Sequence, residues 1–291
     1  MTAGYVLVTA AYNEEQFIEN TIRSVVAQTW RPLEWNIVSD ASSDRTPEIV
    51  NDYASQYHFI KLVRITEDHP RNFAAQVNAI NIGIRDLRNS GADFFGNVDA
   101  DISFEPGYFS QLLRRFLDNH QLGLAGGSIY ERSEAGQFRS RKRNSLRSVA
   151  HACQFFRREC FQEIGGQYLS LPYGAPDVYA EIAARMKGWQ VASFSDLPVY
   201  HYRLTGSADH YLRNAFRQGR ADYSLGTLPL FELLRVMRRA VDRPYIVGSL
   251  ARLSGFGYGY CIGQRRPVSA DFIRYMRNEQ THRIMRPLNE L

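Results

Sequence analysis

Cysteine is scarce in the 291-residue sequence, which contains only Cys153, Cys160 and Cys261 and no CxxC pair. A small, odd set of cysteines excludes a disulfide framework, and the missing CxxC spacing argues against a structural zinc site. We therefore expect reduced thiols in a cytoplasmic protein.

Long apolar runs are absent as well. No stretch of about 18 residues is both uncharged and clearly apolar, so no membrane-spanning helix is predicted. The opening residues, Met-Thr-Ala-Gly-Tyr, lack the basic region of a signal peptide. There is no low-complexity tract and no internal repeat, which leaves an ordinary globular chain.

Charge is unevenly spread along the chain. The net charge is +5, yet Ser207 to Leu291 holds 14 basic and 7 acidic residues. A basic end on a near-neutral body predicts contact with something anionic, either lipid headgroups or nucleic acid. The alternative is a solvated basic face with no partner.

Strands and helices alternate over the first hundred residues. Apolar β-type runs at 5–9, 35–39, 59–65 and 93–98 are separated by segments with helical spacing. Asn13 is predicted to cap the first helix, with Glu14 and Glu15 in its first turn. This order predicts an α/β fold, a mostly parallel sheet flanked by helices.

Polar residues follow three of these strands, at the edge where such sheets bind ligands. Asp99 and Asp101 come directly after the fourth strand. Two carboxylates so spaced can face one divalent cation, and their oxygens suit Mg²⁺ or Mn²⁺ bridging a diphosphate. Alone, an Asp-x-Asp pair is more often a turn or a helix cap.

Five segments in order resemble the family 2 glycosyltransferases. They are Val8–Glu15, Ser24–Thr29, Asn36–Thr46, the pair Asp99–Asp101, and Phe156–Gly166. The resemblance spans about Tyr5 to Tyr202. It implies a GT-A fold at 1–206, which is Rossmann-like, and leaves a helical basic C-terminal extension at 207–291.

The resemblance also implies roles for individual residues. Thr9, Ala11 and Tyr12 would line the nucleoside, and Asp40 would accept a hydrogen bond from a uracil imide. Arg71 would approach the base or the diphosphate, and Asp99 the ribose or a metal-bound water. For Asp40 the alternative is turn chemistry, and for Arg71 it is an exposed loop arginine with no ligand.

The resemblance also implies a divalent metal site and a general base. Asp101 would ligate Mn²⁺ or Mg²⁺, with His201 as a further ligand. Asp177 matches the family's general base, although Pro176 stands where the family has Glu. Glu181, four residues later, is the rival.

The implied activity is transfer of a sugar, with inversion, from a nucleotide diphosphate sugar, with a UDP-sugar favoured. The implied acceptor is a saccharide or a lipid-linked molecule in polysaccharide or glycolipid assembly. A nucleotidyltransferase and a non-catalytic sugar-nucleotide binder are the alternatives, and no nucleic-acid partner is expected.

The segment from Tyr245 to Ile262 is apolar, with Arg252 as its only charge. It predicts either docking at the inner face of the membrane or packing against the protein, including a homodimer.

Overall fold

The computed structural model describes residues 3–67, 73–88, 91–133, 136–141, 145–203, 211–239 and 246–285. Within these ranges one mixed sheet contains nine strands. The strands are β1 (Tyr5–Ala11), β2 (Glu34–Asp40), β3 (Ile60–Ile65), β4 (Phe94–Val98), β5 (Ile102–Phe104), β6 (Leu122–Arg132), β7 (Phe138–Ser140), β8 (Cys153–Arg157) and β9 (Gln190–His201).

The sheet runs in the order β3-β2-β1-β4-β8-β6-β9-β5, with β7 paired to β6. The first four strands are mutually parallel, as the alternation of strands and helices predicts. β8 is antiparallel to β4 and β6, β9 is parallel to β6, and β5 is antiparallel to β9. The carboxyl ends of β1, β2 and β4 therefore meet at one edge of the sheet.

Ten helices complete the described residues. They are α1 (Ile18–Val26), α2 (Thr46–Gln56), α3 (Phe73–Arg85), α4 (Tyr108–Asp118), α5 (Arg158–Glu163), α6 (Pro176–Met186), α7 (Tyr211–Leu225), α8 (Pro229–Arg239), α9 (Ile246–Cys261) and α10 (Ala270–Met285).

Two apolar cores form because strands such as β1 and β2 are buried on both faces. One core joins Leu7 and Ile37 to α1 and α4, where Ile22 and Leu112 are fully buried. The other core contains Val8, with residues of α3, α5 and α6. The α/β sheet flanked by helices, with helices in the C-terminal region, confirms the predicted fold class.

The Cα packing divides the chain into two compact units. One comprises Met1–Ser170 with Pro176–Thr205, and the other comprises Leu171–Ala175 with Gly206–Leu291. In the second unit α7 and α9 approach so closely that a Cβ at Gly219 would lie 1.9 Å from the Arg252 carbonyl oxygen. A Cβ at Gly255 would lie 1.9 Å from the Phe216 carbonyl oxygen, so glycine is required at this crossing.

One local prediction was wrong. Asn13 does not cap α1: its φ is +52°, and its side-chain oxygen accepts a hydrogen bond from the Ser43 amide at 2.9 Å. The long strand β9 has a register shift opposite Gly127 and Ser128. Helix α6 begins at Pro176, which places Asp177 in its first turn.

Candidate active site

Two carboxylates and a histidine converge at the carboxyl end of β4. Asp99 and Asp101 follow the strand, and Ile102 of β5 pairs with His201 of β9. One side-chain ligand atom each from Asp99, Asp101 and His201 lies within 4.8 Å of the other two. His201 Nε2 lies 3.4 Å from Asp101 Oδ1. The structure thus brings together three residues singled out in the sequence.

The ring of His201 is oriented by the main chain. Its Nδ1 lies 2.6 Å from the Arg203 carbonyl oxygen, which can only accept, so Nδ1 carries the hydrogen and donates it. Nε2 is then directed at Asp101. Metal-binding histidines are held in this way, with one nitrogen donating to a carbonyl and the other free to ligate.

The electrostatics of the cluster suit a cation. Although burial opposes it, the hydrogen bond to Asp101 and the charges of Asp101 and Asp99 raise the pKa of His201 to about 9. Mn²⁺ and Mg²⁺ prefer carboxylate oxygens, and imidazole is tolerated beside them. The residues present therefore fit a divalent cation, which would neutralise the concentrated negative charge.

His151 is a residue of this site that sequence reasoning missed. Its Nδ1 lies 3.7 Å from Asp99 Oδ1, and Gln76 Nε2 donates to the same oxygen at 3.3 Å. Burial lowers the pKa of His151, but the interactions with Asp99 and Asp177 outweigh it and raise the pKa. His151 reaches this position because β8 pairs antiparallel with β4, which places His151 beyond the end of β4. The sequence alone does not specify that pairing.

A second missed feature is an ion pair across the site. Arg203 donates two hydrogen bonds to Glu14, at 2.8 and 2.6 Å, and its Nε lies 3.8 Å from Asp101 Oδ2. Its guanidinium also lies over the Phe17 ring, 5.2 Å from the centroid. Burial raises the pKa of Glu14 to about 7, with Asp101 and Asp99 adding to the rise and Arg203 opposing it. Glu14 was predicted to occupy the first turn of α1, but it precedes the helix and faces this cluster.

Asp177 and Glu181 differ in their surroundings. Asp177 is partly exposed in the first turn of α6. Glu181 is buried, and its Oε1 accepts hydrogen bonds from Val149 N at 2.7 Å and Ser148 Oγ at 2.9 Å. Burial, with the nearby Asp177 charge, raises the pKa of Glu181 to about 7.

The predicted nucleoside residues occupy the ends of β1 and β2. Tyr12 is 43% exposed, whereas Ala11 and Asp40 are buried. Thr9 is fully buried, and its hydroxyl accepts a hydrogen bond from Trp35 Nε1 at 3.0 Å. Its hydroxyl is therefore engaged in the core rather than at the edge of the sheet. Arg71 lies outside the described residues.

Four parallel strands, with two acidic residues and a histidine at the carboxyl end of β4, define a class of α/β proteins that bind ligands at this edge of the sheet. Comparison with known sequences gives the family. The sequence model described as "Glycosyl transferase family 2" matches residues 6–187, well over half of the chain. The chain belongs to glycosyl transferase family 2.

One relative comes from Bacillus subtilis. EpsH of Bacillus subtilis (strain 168) is 26% identical over 253 residues, covering 75% of this chain and 66% of EpsH. The chain thus spans slightly less than two thirds of that relative, and smaller fractions of others.

Solved structures share the fold. TarS 1-349 of S. aureus in complex with UDP-GlcNAc has a TM-score of 0.57 at 15% identity, and the alignment covers 96% of this chain and 83% of the 1-349 chain. The mannosyltransferase PcManGT of Pyrobaculum calidifontis, in complex with GDP-Man and Mn²⁺, has a TM-score of 0.59 at 15% identity. The alignment with PcManGT covers 98% of this chain and 82% of that protein.

Proposed function

We propose that this protein transfers a sugar from a nucleoside diphosphate sugar, UDP-sugar favoured, to a saccharide or lipid-linked acceptor, with inversion at the anomeric carbon. Polysaccharide or glycolipid assembly is the setting we infer. The observation that carries the proposal is the Asp99, Asp101 and His201 cluster at the carboxyl end of the parallel strands. Two structural neighbours, one solved in complex with UDP-GlcNAc and the other with GDP-Man and Mn²⁺, support it.

In this proposal Asp101 and His201 would hold Mn²⁺ or Mg²⁺, and a bound cation would supply positive charge opposite the diphosphate. Asp99 faces the ribose or a metal-bound water, where Gln76 and His151 fix its carboxylate. Arg203 holds Glu14 beside the same cluster, which keeps the loop after β1 next to the donor site.

Nucleoside recognition is assigned to the ends of β1 and β2. Tyr12, exposed after β1, would lie against the nucleoside, and Asp40 would accept the imide hydrogen of uracil. Ala11 and Thr9 would contribute main-chain groups, since the Thr9 hydroxyl is engaged by Trp35. Arg71 would approach the diphosphate because its guanidinium can donate to two oxygens at once.

Asp177 is proposed as the general base that takes the acceptor hydroxyl proton as the new bond forms. Two observations favour it over Glu181. Asp177 is partly exposed in the first turn of α6, while Glu181 is buried and already accepts two hydrogen bonds. A general base has to reach the acceptor with a free lone pair. Burial of Glu181 and the two hydrogen bonds that it accepts oppose such contact.

Calorimetry with UDP and with GDP, each with Mn²⁺ and with EDTA, tests the donor site. We expect UDP to bind only with metal, and Asp101→Asn to weaken binding by at least about tenfold. Asp52→Asn, an exposed carboxylate on α2, is the matched control and should bind as the unmodified protein does. Preference for GDP would overturn the role of Asp40, and the absence of binding to either would overturn the donor site.

A nucleotidyltransferase or a non-catalytic sugar-nucleotide binder would also bind UDP. The reaction products distinguish these two alternatives from sugar transfer. Release of UDP with a new glycosidic bond supports transfer, release of pyrophosphate from a nucleoside triphosphate supports nucleotidyl transfer, and binding without turnover supports a binding role.

A further inference from the structure

Helix α8 turns its apolar side outward. Leu230, Leu233, Leu234 and Met237 are 52%, 43%, 42% and 62% exposed. The spacing i, i+3, i+4, i+7 puts them in one stripe along the helix. Soluble proteins usually bury such a stripe, so its exposure needs a partner to explain it.

The opposite side of α8 is ionic and buried. Glu232 is fully buried and accepts a hydrogen bond from Arg252 Nε of α9 at 2.9 Å. Arg235 Nη1 donates to Asp222 of α7 at 2.8 Å, and Arg252 also pairs with Asp222. The charges thus bind the helices to one another, and turning α8 over would break these pairs.

Helix α9 extends the exposed apolar surface. Ser249 Oγ donates to the Val236 carbonyl, and Arg252 contacts Glu232, so α8 and α9 pack antiparallel. Ile246, Val247 and Leu250, at 61%, 53% and 55% exposure, therefore lie at the end of the pair where Met237 lies. The α8–α9 face is defined by Leu230, Leu233, Leu234, Met237, Ile246, Val247 and Leu250.

The sequence predicts either a docking or a packing segment at Tyr245–Ile262, and α9 has both buried and exposed residues. Gly248, Arg252, Gly255 and Phe256 are buried within the helical unit. Ile246, Val247 and Leu250, on the exposed side of its first two turns, belong to the α8–α9 face instead. Arg252, expected as a lone charge in an apolar segment, is held by two carboxylates.

The exposed charge on the described parts of α7, α8 and α9 has one sign. Among the described residues of α7, α8 and α9, the acidic side chains are Asp222 and Glu232, and both are ion-paired. Arg213 of α7 and Arg238 at the end of α8 are exposed. The exposed charges of these three helices are therefore cationic.

We propose that the α8–α9 face docks on an anionic lipid bilayer, with α8 lying in the headgroup region and Arg238 toward the lipid phosphates. Apolar burial and cationic attraction act together at such a surface. A second copy of the chain fits less well, because pairing two such faces would bring like charges together. None of the helices, within the part of the chain described, is long and apolar enough to cross a membrane. This docking goes beyond the proposed transfer reaction and does not depend on it.

The test is co-sedimentation of the full chain with vesicles of phosphatidylcholine alone and with added phosphatidylglycerol. We expect binding to the anionic vesicles only. The double variant Leu233→Ser/Leu234→Ser should lower the partition coefficient by at least about tenfold, because two exposed leucines no longer enter the bilayer. Arg238→Glu should lower it on anionic vesicles, and the loss should shrink as salt is raised.

Leu117→Ser is the matched control, since Leu117 is 43% exposed on α4. It should sediment as the unmodified protein does, and circular dichroism should show all variants folded. Failure of the unmodified protein to bind anionic vesicles, or equal binding by the double variant, would overturn the proposal. So would a dimer in solution, seen by analytical ultracentrifugation, that the double variant abolishes. Metal-dependent UDP binding is measured separately, so either proposal can fail without the other.

Discussion

Replacing Glu181 by glutamine removes a buried carboxylate while keeping its shape, and the pH dependence of thermal unfolding should then flatten. The carboxylate is 4% exposed and accepts hydrogen bonds from Val149 N and Ser148 Oγ. Glutamine can accept the same two bonds through its own side-chain oxygen. The variant therefore isolates the effect of the charge.

The sign follows from the raised pKa. The ordinary pKa is 4.5, and burial beside Asp177 raises it to about 7 in the folded protein. Below 4.5 both states are protonated and Glu181 imposes no penalty. As the pH rises, the unfolded chain ionises first, so the folded state loses stability until the pH passes the folded pKa. Between about pH 5 and pH 8.5 this amounts to about 2.5 kcal/mol.

The assay is differential scanning fluorimetry of both proteins across that pH range. For a unit of this size, about 2.5 kcal/mol corresponds to roughly 5–10 °C in Tm. We expect the unmodified protein to lose that much more than Glu181→Gln on going from acid to alkaline pH. Other titrating groups are common to both proteins and cancel. Parallel Tm profiles would refute the argument, since they would mean that Glu181 is already ionised at low pH or is not desolvated.

Three further outcomes are expected. Asp177→Asn should bind UDP normally while transfer of labelled sugar to an extracted acceptor pool falls about 10²–10⁴-fold; weakened UDP binding would instead give Asp177 a role in the donor site. Gly255→Ala should destabilise the helical unit by about 3 kcal/mol, measured by urea unfolding. The control Gly257→Ala should be neutral or stabilising, because no atom lies within 4 Å of the added Cβ. Equal effects of the two substitutions would contradict the close approach of α7 and α9. Arg203→Lys loses the two-bond contact with Glu14 and should lower stability by about 1 kcal/mol, and an unchanged Tm would show that the pair contributes nothing.

Much of the fold is readable from the sequence because local patterns decide it. The apolar runs before Asp40 and Asp99 form buried parallel strands, and the topology of such sheets brings their carboxyl ends together. The position of Asp99 and Asp101 at that edge follows from this topology, whereas His201 joins them because β9 pairs antiparallel with β5. Glycine is favoured just past the end of a helix, and Gly188, two residues after the end of α6, has a φ of +89°.

Other features depend on pairing that local patterns do not encode. Asn13 resembled a helix cap, but the neighbouring turn offers it the Ser43 amide, and α1 begins later. His151 reaches Asp99 only because β8 lies antiparallel to β4. Glu14 and Arg203 are 189 residues apart in sequence, and no periodicity predicts their contact.

The short segment Leu171–Ala175 has a consequence for how this protein could exchange parts with its relatives. It packs in the helical unit, where the Tyr173 hydroxyl accepts a hydrogen bond from Arg220 at 2.6 Å and the Arg220 guanidinium lies over the ring. The chain therefore crosses between the units three times, and the second crossing, at Ala175, is directly followed by Pro176 and Asp177. A recombination that replaced only the residues after 206 would leave Tyr173 with an unrelated partner. We therefore expect Leu171–Ala175 and the helical unit after residue 206 to be exchanged between relatives together, as one module.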